Sequence, residues 1–318
     1  MAEQQKILLS GIKPTGDIHI GNYFGAIKQL VDLVSTGKYR AFIMIADYHA
    51  LNFIQNADQM RSLSLDLART YIACGLDPKD VVLFKQSEVS AHTELAWIFD
   101  TITTMPYLMR AHAFKDAEAK NKEIVVGTFN YPMLMAADIL LYNADVVPVG
   151  QDQKQHIEYA RDTAEKFNRT FSPVFTMPEP YILPEVAVVP GTDGQKMSKS
   201  YGNTIPLFAD RETIIEKVMG IVTDSSGDKP ENVYAIHKLI KSEGELAPLY
   251  EEHKGKYKAL KDALVEDLDT YIAPMRARYE ELKENPSIVS DALVTGGEEA
   301  RVVANAKMEE VRNAIGVV

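Results

Sequence analysis

The sequence predicts an α/β fold in which a parallel sheet, covered on both faces by helices, is followed by a smaller all-α domain. Through about the first two-thirds of the chain, short apolar runs alternate with segments of helical periodicity, which is typical of parallel sheets. After about Leu207, strand-like runs become rare and helix-forming residues dominate. We therefore expect a sheet domain over residues 1–207, a helical domain over 208–297, and a last helix over 298–318 that packs back on the sheet domain.

Each element follows from its own pattern. Apolar runs of strand length predict buried strands at Lys6–Ile12, Ala41–Ala46, Val81–Phe84 and Asp145–Val149. Helical spacing predicts helices over Gly21–Ser35, Ala57–Cys74 and about Gln151–Phe167. Turn-forming pairs, which we expect to separate helices in the last third, are Asn285-Pro286 and Gly296-Gly297. Because ligands of such sheets bind at the carboxyl ends of the strands, a site is expected in the segments that follow them.

Composition excludes several classes of protein. With 318 residues, 46% hydrophobic and 25% charged, the chain has the composition of a soluble globular protein. No apolar run reaches the roughly 18 residues that a membrane helix needs, and the start Met1–Lys6 does not have the pattern of a secretory signal. Cys74 is the only cysteine, which excludes an intrachain disulfide and a cysteine-rich zinc site and favours the cytoplasm. We expect no tightly bound metal.

The charge balance is acidic, at −11. Taken alone, an acidic total argues weakly against nucleic acid as a partner, since proteins that bind it are usually basic overall, but it does not exclude a local basic patch. The one dense basic run consists of Lys254, Lys256, Lys258 and Lys261. A solvated helix start explains this run at least as well as a nucleic-acid contact.

The first segment with recognisable chemistry runs from Gly11 to Asn22 and reads Gly-Ile-Lys-Pro-Thr-Gly-Asp-Ile-His-Ile-Gly-Asn. It follows a predicted strand and opens a predicted helix, where unpaired N–H groups and the helix dipole favour phosphate. His19 and Asn22 stand at the helix start, and Gly21 permits a close approach to the backbone. The segment matches neither the Rossmann glycine pattern nor a Walker A loop. A capped turn would explain the glycines but does not require His-x-Gly-Asn.

The second segment, Gly194–Asn203, reads Gly-Gln-Lys-Met-Ser-Lys-Ser-Tyr-Gly-Asn. Lys196 and Lys199 bracket Met-Ser between glycines. Two ammonium groups on a loop suit a pyrophosphate leaving group, because negative charge develops there in the transition state. A solvated basic loop is the alternative, and it is the better one for an arbitrary pair of lysines. Together, however, His-Ile-Gly-Asn and Lys-Met-Ser-Lys-Ser resemble the paired signatures of class I aminoacyl-tRNA synthetases.

A third segment narrows the family. Asn130–Tyr142, followed by Val146–His156, is similar to the tryptophan-binding region of bacterial tryptophanyl-tRNA synthetases. The resemblance extends over nearly the whole chain and includes Ala46–Ala50, Gln86–Val89 and Pro274–Leu282. It implies a Rossmann-like catalytic domain, a helical domain that reads the anticodon, and a homodimer.

The residues of the third segment suit an indole ring. Tyr131, Met135 and Asp138 are spaced i, i+4 and i+7, so they share one helix face. Asp138 can accept the indole N–H, and Met135 can lie on the ring. The alternatives are core filling for Met135 and an exposed charge for Asp138. The apolar neighbours of Asp138 argue against exposure, and a buried carboxylate needs a partner.

The family resemblance implies a role for each matching residue. Residues that act on the phosphates of ATP are His19, Asn22, Lys196 and Lys199. The implied ATP site comprises Lys13, Pro14, Thr15, Gly21, Asn22, Gly150, Gln151, Asp152, Lys196, Met197, Ser198, Lys199 and Ser200. The implied tryptophan site comprises His49, Tyr131, Met135, Asp138 and Gln153. By the same resemblance, Asp152 binds the ribose of ATP. In the tryptophan site, Gln153 and Tyr131 hold the amino group, and His49 lies near the carboxylate. The adenine contact stays open among Ala187, Val188 and Val189.

The expected activity is the ATP-dependent joining of L-tryptophan to tRNA-Trp in the cytoplasm. Mg²⁺ is expected to enter the site bound to ATP, and no association with a membrane is expected. A tyrosyl-tRNA synthetase and a non-catalytic regulator derived from a synthetase are the alternatives. The departures from the family pattern include Lys13, which replaces a frequent glutamine, and Leu9, which replaces an aromatic residue found in some members. We expect Trp97 to lie in the core. Histidines expected to be at the surface or structural are His92, His112, His156, His237 and His253.

Overall fold

The computed structural model describes residues 5–14, 16–119, 124–149, 154–182, 188–223 and 229–317. Its strands are β1 Lys6–Ile12, β2 Tyr39–Ile45, β3 Val81–Lys85, β4 Val146–Val149 and β5 Glu179–Ile182. They form one parallel sheet in the order β3-β2-β1-β4-β5. The central position of β1 places its carboxyl end, where the first signature segment begins, in the middle of the sheet.

Helices cover the sheet and form the last third of the chain. Those before residue 207 are α1 Ile20–Asn22, α2 Lys28–Ser35, α3 Asp47–Ala50, α4 Ala57–Ala73, α5 Ala91–Ile102, α6 Met105–Leu108, α7 His112–Ala119, α8 Val126–Leu141 and α9 Lys154–Thr170. A π-helical segment, Tyr23–Ile27, joins α1 to α2. The later helices are α10 Arg211–Met219, α11 Glu231–His237, α12 Glu243–Glu252, α13 Tyr257–Glu284 and α14 Pro286–Ile315. None in the described ranges is both long and apolar enough to cross a membrane.

Successive residues of the inner strands point to opposite faces of the sheet, and both faces are buried. In β1, Leu8 belongs to one apolar core and Leu9 to the other. In β2, Ile43 and Ile45 lie on the first face, and Phe42 on the second. This burial on both sides is the reason that the strands have continuous apolar sequences, and it confirms the predicted fold class.

The predicted elements agree closely with the structure. β1 has the predicted limits, and the limits of β2, β3, β4 and α4 differ by two residues or fewer at each end. The predicted helix over 21–35 is continuous, although its middle is π-helical. One strand, β5, is missing from the prediction, because its sequence Glu-Pro-Tyr-Ile has too few apolar residues for a strand pattern, whereas β4, of the same length, reads Val-Val-Pro-Val. Proline is tolerated there because β5 is an edge strand.

The expected break at Gly296-Gly297 is wrong. One helix, α14, runs through both glycines, so no helix begins near Glu298 and the expected boundary at 297 falls inside α14. A Cβ on Gly296 would lie 2.0 Å from the carbonyl oxygen of Leu83 in β3. The helix therefore crosses the edge strand at van der Waals contact, and covering this edge protects it from pairing with another chain. Buried residues before and after the glycines join the cores on opposite faces of the sheet.

The expected burial of Trp97 is also wrong, since 70% of the residue is exposed. Leu95, Ile98 and Phe99 occupy the buried face of α5, and helical spacing turns Trp97 away from it. Tryptophan is a poor indicator of core position when its helix has another complete apolar face.

Helix α13 packs against the π-helical segment beside the first signature. Tyr271 of α13 contacts Tyr23 and Phe24, with ring centroids 6.2 and 5.6 Å away. The hydroxyls of Tyr271 and Tyr23 lie 3.2 Å apart. Tyr279, two turns further along α13, stacks on Phe208 at 4.2 Å. The helical part of the chain therefore supports the segment from which the candidate site is built.

Candidate active site

The two signature segments meet at the carboxyl end of β1. The residues just after the second segment pair with the first: the backbone N–H of Ile20 donates to the carbonyl of Ile205 at 3.0 Å, and that of Leu207 donates to the carbonyl of Ile18 at 3.0 Å. A Cβ on Gly21 would lie 3.2 Å from the Cβ of Met197. The same Cβ would lie 2.9 Å from Nδ1 of His19, so a side chain at this position would displace the imidazole and crowd the contact between the two segments.

His19 and Asn22 hold each other in a reciprocal cap at the helix start. The N–H of Asn22 donates to Nδ1 of His19 at 3.3 Å, and the N–H of His19 donates to Oδ1 of Asn22 at 3.2 Å. Such a cap provides acceptors for two backbone N–H groups that would otherwise be unpaired at the helix start. Because Nδ1 accepts a hydrogen bond, the proton of neutral His19 is on Nε2, where it can be donated to a phosphate oxygen.

The surroundings of His19 keep its ring neutral. Burial is the larger cause and the charge of Lys199 the smaller, and together they lower the pKa of His19 from 6.5 to about 4. A neutral imidazole is needed for the cap, since a protonated Nδ1 could not accept from Asn22.

We expect an NMR titration to give His19 a pKa near 4, with the signal identified by its absence in His19→Asn. Below pH 6.5, His19 is protonated in the unfolded chain, whereas in the folded chain it stays neutral until about pH 4. This residue therefore lowers the free energy of unfolding as the pH falls from 6.5 towards 4. A signal that titrates near 6.5 would contradict the assignment of the cap.

The lysine loop is anchored by a buried methionine and a buried asparagine. Met197 is 4% exposed, and its N–H donates to Val189 at 2.9 Å. Asn203, which is 2% exposed, accepts from the N–H of Ser198 at 2.8 Å and donates to the carbonyl of Lys196 at 3.2 Å. Asn203 ends the second signature segment, and the sequence predicts no role for it. The structure shows that it fixes the loop from within.

These anchors leave both lysines at the surface of the loop. Lys196 and Lys199 are exposed, and a Cβ on Gly16 would lie 3.3 Å from Nζ of Lys199. Burial lowers the pKa of Lys199, although the charge of Asp17 opposes the shift. The ammonium group thus lies at the turn that precedes His19.

The two segments enclose a first cavity of about 640 Å³. Residues of the predicted ATP site that line it are His19, Gly21, Asn22, Lys196, Met197, Ser198 and Lys199. Val189 also lines it, whereas Ala187 lies outside the described residues, and the adenine contact stays a prediction. Donors and cations predominate among the polar groups, as a polyphosphate requires.

A second cavity of about 200 Å³ lies on the other side of the β1 end. Tyr131, Met135 and Asp138 line it together, as their spacing on α8 predicts. The remaining lining residues are Leu9, Ser10, Gly11, Lys13, Met44, Ala46, His49, Ile139, Val147, Pro148, Val149, His156 and Ile157. Ile12 lines the first cavity, whereas Gly11 and Lys13 line the second. The two cavities therefore adjoin at the end of one strand.

Asp138 is buried at 3% exposure and accepts three hydrogen bonds. Its Oδ1 accepts from Nε2 of Gln86 at 2.7 Å and from Nδ1 of His92 at 2.7 Å, and its Oδ2 accepts from Nε2 of His49 at 2.9 Å. Burial alone would raise the pKa of Asp138, but the bonds from His49 and His92 outweigh it and lower the pKa to about 2. The carboxylate is ionised at neutral pH.

His49 is thus tied to Asp138, at the end of the cavity expected for the indole nitrogen. A role near the tryptophan carboxylate stays a prediction. Tyr131 lies with its hydroxyl 3.0 Å from Nε2 of His156, and burial raises the pKa of this tyrosine to about 12, so the hydroxyl remains protonated.

Sequence reasoning missed the functional placement of His92 and His156. His92 contacts Asp138, and His156 lines the cavity. In the sequence, both histidines lie close to segments that resemble the family. His92 follows the Gln86–Val89 segment by three residues, and His156 is the last residue of the third segment. Neither position can be paired with Asp138 or Tyr131 without knowing which helices are neighbours.

Several predicted ATP residues are not brought to the first cavity. Lys13 lines the second cavity instead, and its Nζ lies 5.1 Å from the ring centroid of Phe53. Pro14 and Ser200 line neither cavity. Predicted site residues outside the described residues are Thr15, Gly150, Gln151, Asp152 and Gln153, so their roles stay predictions.

Comparison with known proteins agrees with this geometry. A family model described as class I tRNA synthetases (W and Y) matches residues 1–295. A tryptophan–tRNA ligase of Fusobacterium nucleatum is 44% identical and covers 98% of each chain. One from Campylobacter jejuni is 43% identical over 98% of this chain and 99% of its own. The crystal structure of Campylobacter jejuni tryptophanyl-tRNA synthetase complexed with ADP and tryptophan aligns with a TM-score of 0.90 and 42% identity, covering 97% of this chain and 99% of that one.

The family match covers both signature segments and the helix that carries Tyr131, Met135 and Asp138. The full-length relatives leave no large region of the chain without a counterpart. The chain belongs to the bacterial-type tryptophanyl-tRNA synthetases of class I.

Proposed function

We propose that this chain is a tryptophan–tRNA ligase, which activates L-tryptophan with ATP and transfers it to tRNA-Trp. The observation that carries the proposal is the adjacency of the two cavities at the end of β1. One cavity has the cations for a triphosphate, and the other ends on the buried carboxylate of Asp138. Substrates bound in both would bring the tryptophan carboxylate close to the α-phosphate.

Activation is proposed to proceed by in-line attack of the tryptophan carboxylate on the α-phosphate of ATP, which forms tryptophanyl-adenylate and releases pyrophosphate. The Nε2–H of His19 and the amide of Asn22 hold the phosphates. Lys196 and Lys199 stabilise the charge that grows on the leaving pyrophosphate. The chain thus supplies positioning and electrostatic stabilisation rather than acid–base chemistry. Asp152 and Gln153 are proposed for the ribose and the amino group.

Magnesium is proposed to arrive with ATP. Within the described ranges, no group of three or more histidine, cysteine, aspartate or glutamate side chains could hold a metal ion. Mg²⁺ commonly binds substrate phosphates and keeps several waters, so the phosphates themselves can carry it into the first cavity. There it would neutralise part of the phosphate charge.

The proposed activity is tested by ATP–pyrophosphate exchange with tryptophan or tyrosine, followed by aminoacylation of tRNA-Trp. We expect exchange with tryptophan, and we expect the exchange rate with tyrosine to be lower by about a hundredfold or more. A phenol hydroxyl cannot make the hydrogen bond of the indole N–H at the same position. Preference for tyrosine would support the tyrosyl-tRNA synthetase alternative. Binding of tryptophan without exchange would support the non-catalytic regulator.

The helical part of the chain from α10 to α13 is proposed to contact tRNA and read the anticodon. Its basic run is smaller than the sequence suggests. Lys261 donates to the carbonyls of Met219 and Ile221 at 2.8 and 2.7 Å and therefore holds the end of α10. Arg276 is likewise bound to the carbonyl of Ala209 at 2.6 Å. The exposed members of the run are Lys254, Lys256 and Lys258.

We expect alanine at Lys254, Lys256 and Lys258 to weaken aminoacylation and to reduce the salt dependence of tRNA binding, because fewer counterions are released. ATP–pyrophosphate exchange should survive, since that step needs no tRNA. The matched control replaces three exposed lysines at the amino edge of the sheet, Lys6, Lys38 and Lys79. If both triple variants aminoacylate at the wild-type rate with an unchanged salt slope, the tRNA surface lies elsewhere.

A homodimer is proposed, and an apolar surface on the catalytic domain supports it. Trp97 of α5, Met105 of α6 and Val126 of α8 are 70%, 67% and 73% exposed, and both α5 and α6 pack against α8. Exposed apolar surface of this kind is typical of protein–protein interfaces. The cytoplasm is the proposed location, since aminoacylation serves translation there.

We expect Trp97→Glu to shift the protein from dimer to monomer in sedimentation velocity, because a charge would be buried in the interface. Leu65→Glu, at an exposed apolar residue of α4, is the control and should remain dimeric. A dimeric Trp97→Glu variant, with wild-type dissociation, would place the interface on another surface.

A further inference from the structure

His92 is buried behind Asp138 and makes two directed hydrogen bonds. It is 0% exposed. Its Nδ1 lies 2.7 Å from Oδ1 of Asp138, and its Nε2 lies 2.9 Å from the hydroxyl of Tyr142. The ring also stacks on Phe84, with centroids 6.2 Å apart and an interplanar angle of 23°. The imidazole is therefore held on one face and at both nitrogens.

The positions of the protons follow from the partners. Ionised Asp138 can only accept, so Nδ1 of His92 carries a proton. Burial, and then the charge of Asp138, raises the pKa of Tyr142 well above its ordinary value, so its hydroxyl keeps its proton and donates to Nε2. The chain of donors runs in one direction, from Tyr142 through His92 to Asp138.

This arrangement limits what the carboxylate can still accept. A carboxylate has about four acceptor positions, two on each oxygen. Gln86 and His92 occupy both positions on Oδ1, and His49 occupies one on Oδ2. Counting the donors among the described residues, one position is left, on Oδ2. Rotation of the carboxylate would break two bonds at Oδ1, so the remaining acceptor is held in one direction.

We propose that His92 is a positioning residue for substrate selection, which together with Tyr142 orients Asp138 so that its last acceptor position meets the indole N–H. The proposal deepens the proposed function and rests on it. Selectivity for a ring that carries an N–H then depends on a side chain that does not touch the substrate. A merely structural histidine would stabilise the core without affecting this choice.

The test compares two ligands in three variants. L-tryptophan is compared with its benzothiophene analogue, in which sulfur replaces the indole N–H at nearly the same shape. His92→Leu removes both hydrogen bonds, His92→Asn keeps an N–H donor near the Nδ1 position, and Tyr142→Phe removes only the hydroxyl. The measurement is kcat/KM in ATP–pyrophosphate exchange, and calorimetric affinity for each ligand gives the same comparison without catalysis.

We expect His92→Leu to lower kcat/KM for tryptophan about tenfold or more, because the charged hydrogen bond is lost or misdirected, and to change that for the analogue less than about twofold. The change should be mainly in KM. The preference is the ratio of kcat/KM for tryptophan to kcat/KM for the analogue. His92→Asn should keep most of the preference that His92→Leu loses, and Tyr142→Phe should lower the preference about threefold.

Equal losses for both ligands in His92→Leu and Tyr142→Phe would overturn the proposal, since they would indicate a general packing defect. An unchanged preference in both variants would overturn it as well. If His92→Leu does not fold, Tyr142→Phe and His92→Asn still decide between these outcomes. A wild-type protein that binds tryptophan but catalyses no exchange would refute the proposed activity, and the calorimetric preference would still test His92. Failure to bind tryptophan would refute both.

Discussion

Replacement of Lys199 by alanine is expected to lower the rate of adenylate formation by about 30- to 800-fold, which corresponds to about 2–4 kcal/mol of transition-state stabilisation. The ammonium group lies at the turn before His19, on a loop that Met197 and Asn203 hold in place. The contacts of Met197 and Asn203 do not involve the lysine side chain, so the loop keeps these anchors in the variant. Lys196→Ala should behave similarly.

Single-turnover formation of adenylate measures this effect directly, and calorimetry with tryptophan alone provides the comparison. Tryptophan affinity should change little, because the lysines act on phosphate charge. Lys258→Ala is the control, since that exposed lysine lies in the helical part and should not affect activation. Loss of tryptophan affinity with a preserved rate would show that the role assigned to Lys199 is wrong.

Replacement of Asp138 by asparagine is expected to lower kcat/KM for tryptophan by about ten- to a hundredfold, because a charge-assisted bond to the indole N–H is worth roughly 1.5–3 kcal/mol. The structure adds a second cost. An amide has only one accepting oxygen, whereas Gln86, His92 and His49 all donate to this group. At least one donor would then face an NH₂ group.

The same substitution should therefore destabilise the protein. The lowered pKa of Asp138, about 2, means that its ionised form contributes stability in full above the ordinary value of 3.8, and that this contribution is lost as the pH falls through about 2. Urea unfolding of wild type and Asp138→Asn between pH 7 and pH 2.5 measures it, and the difference should shrink in acid. Wild-type kcat/KM together with wild-type stability would remove Asp138 from the tryptophan site.

Much of the fold could be predicted because its strands are buried on both faces. Lys6–Ile12 and Tyr39–Ile45 are short, largely apolar runs. Such runs are typical of strands in a parallel sheet that is covered on both faces. By contrast, β5 is short and lies at an edge, so it has too few apolar residues to produce a pattern. The path of α14 was not predictable either, because a Gly-Gly pair usually indicates a turn. In this helix, the absence of a side chain at Gly296 allows close contact with β3.

The sequence by itself determined the two signature segments, and it determined that Tyr131, Met135 and Asp138 share a face, because helical periodicity is a local property. Tertiary structure alone decided what surrounds that face. His49, Gln86 and His92 come from elements 46 to 89 residues away in the chain. Their meeting at Asp138 depends on the order of the strands and the packing of α5 against α8. Local spacing cannot encode such contacts, since they arise from burial that only the assembled sheet provides.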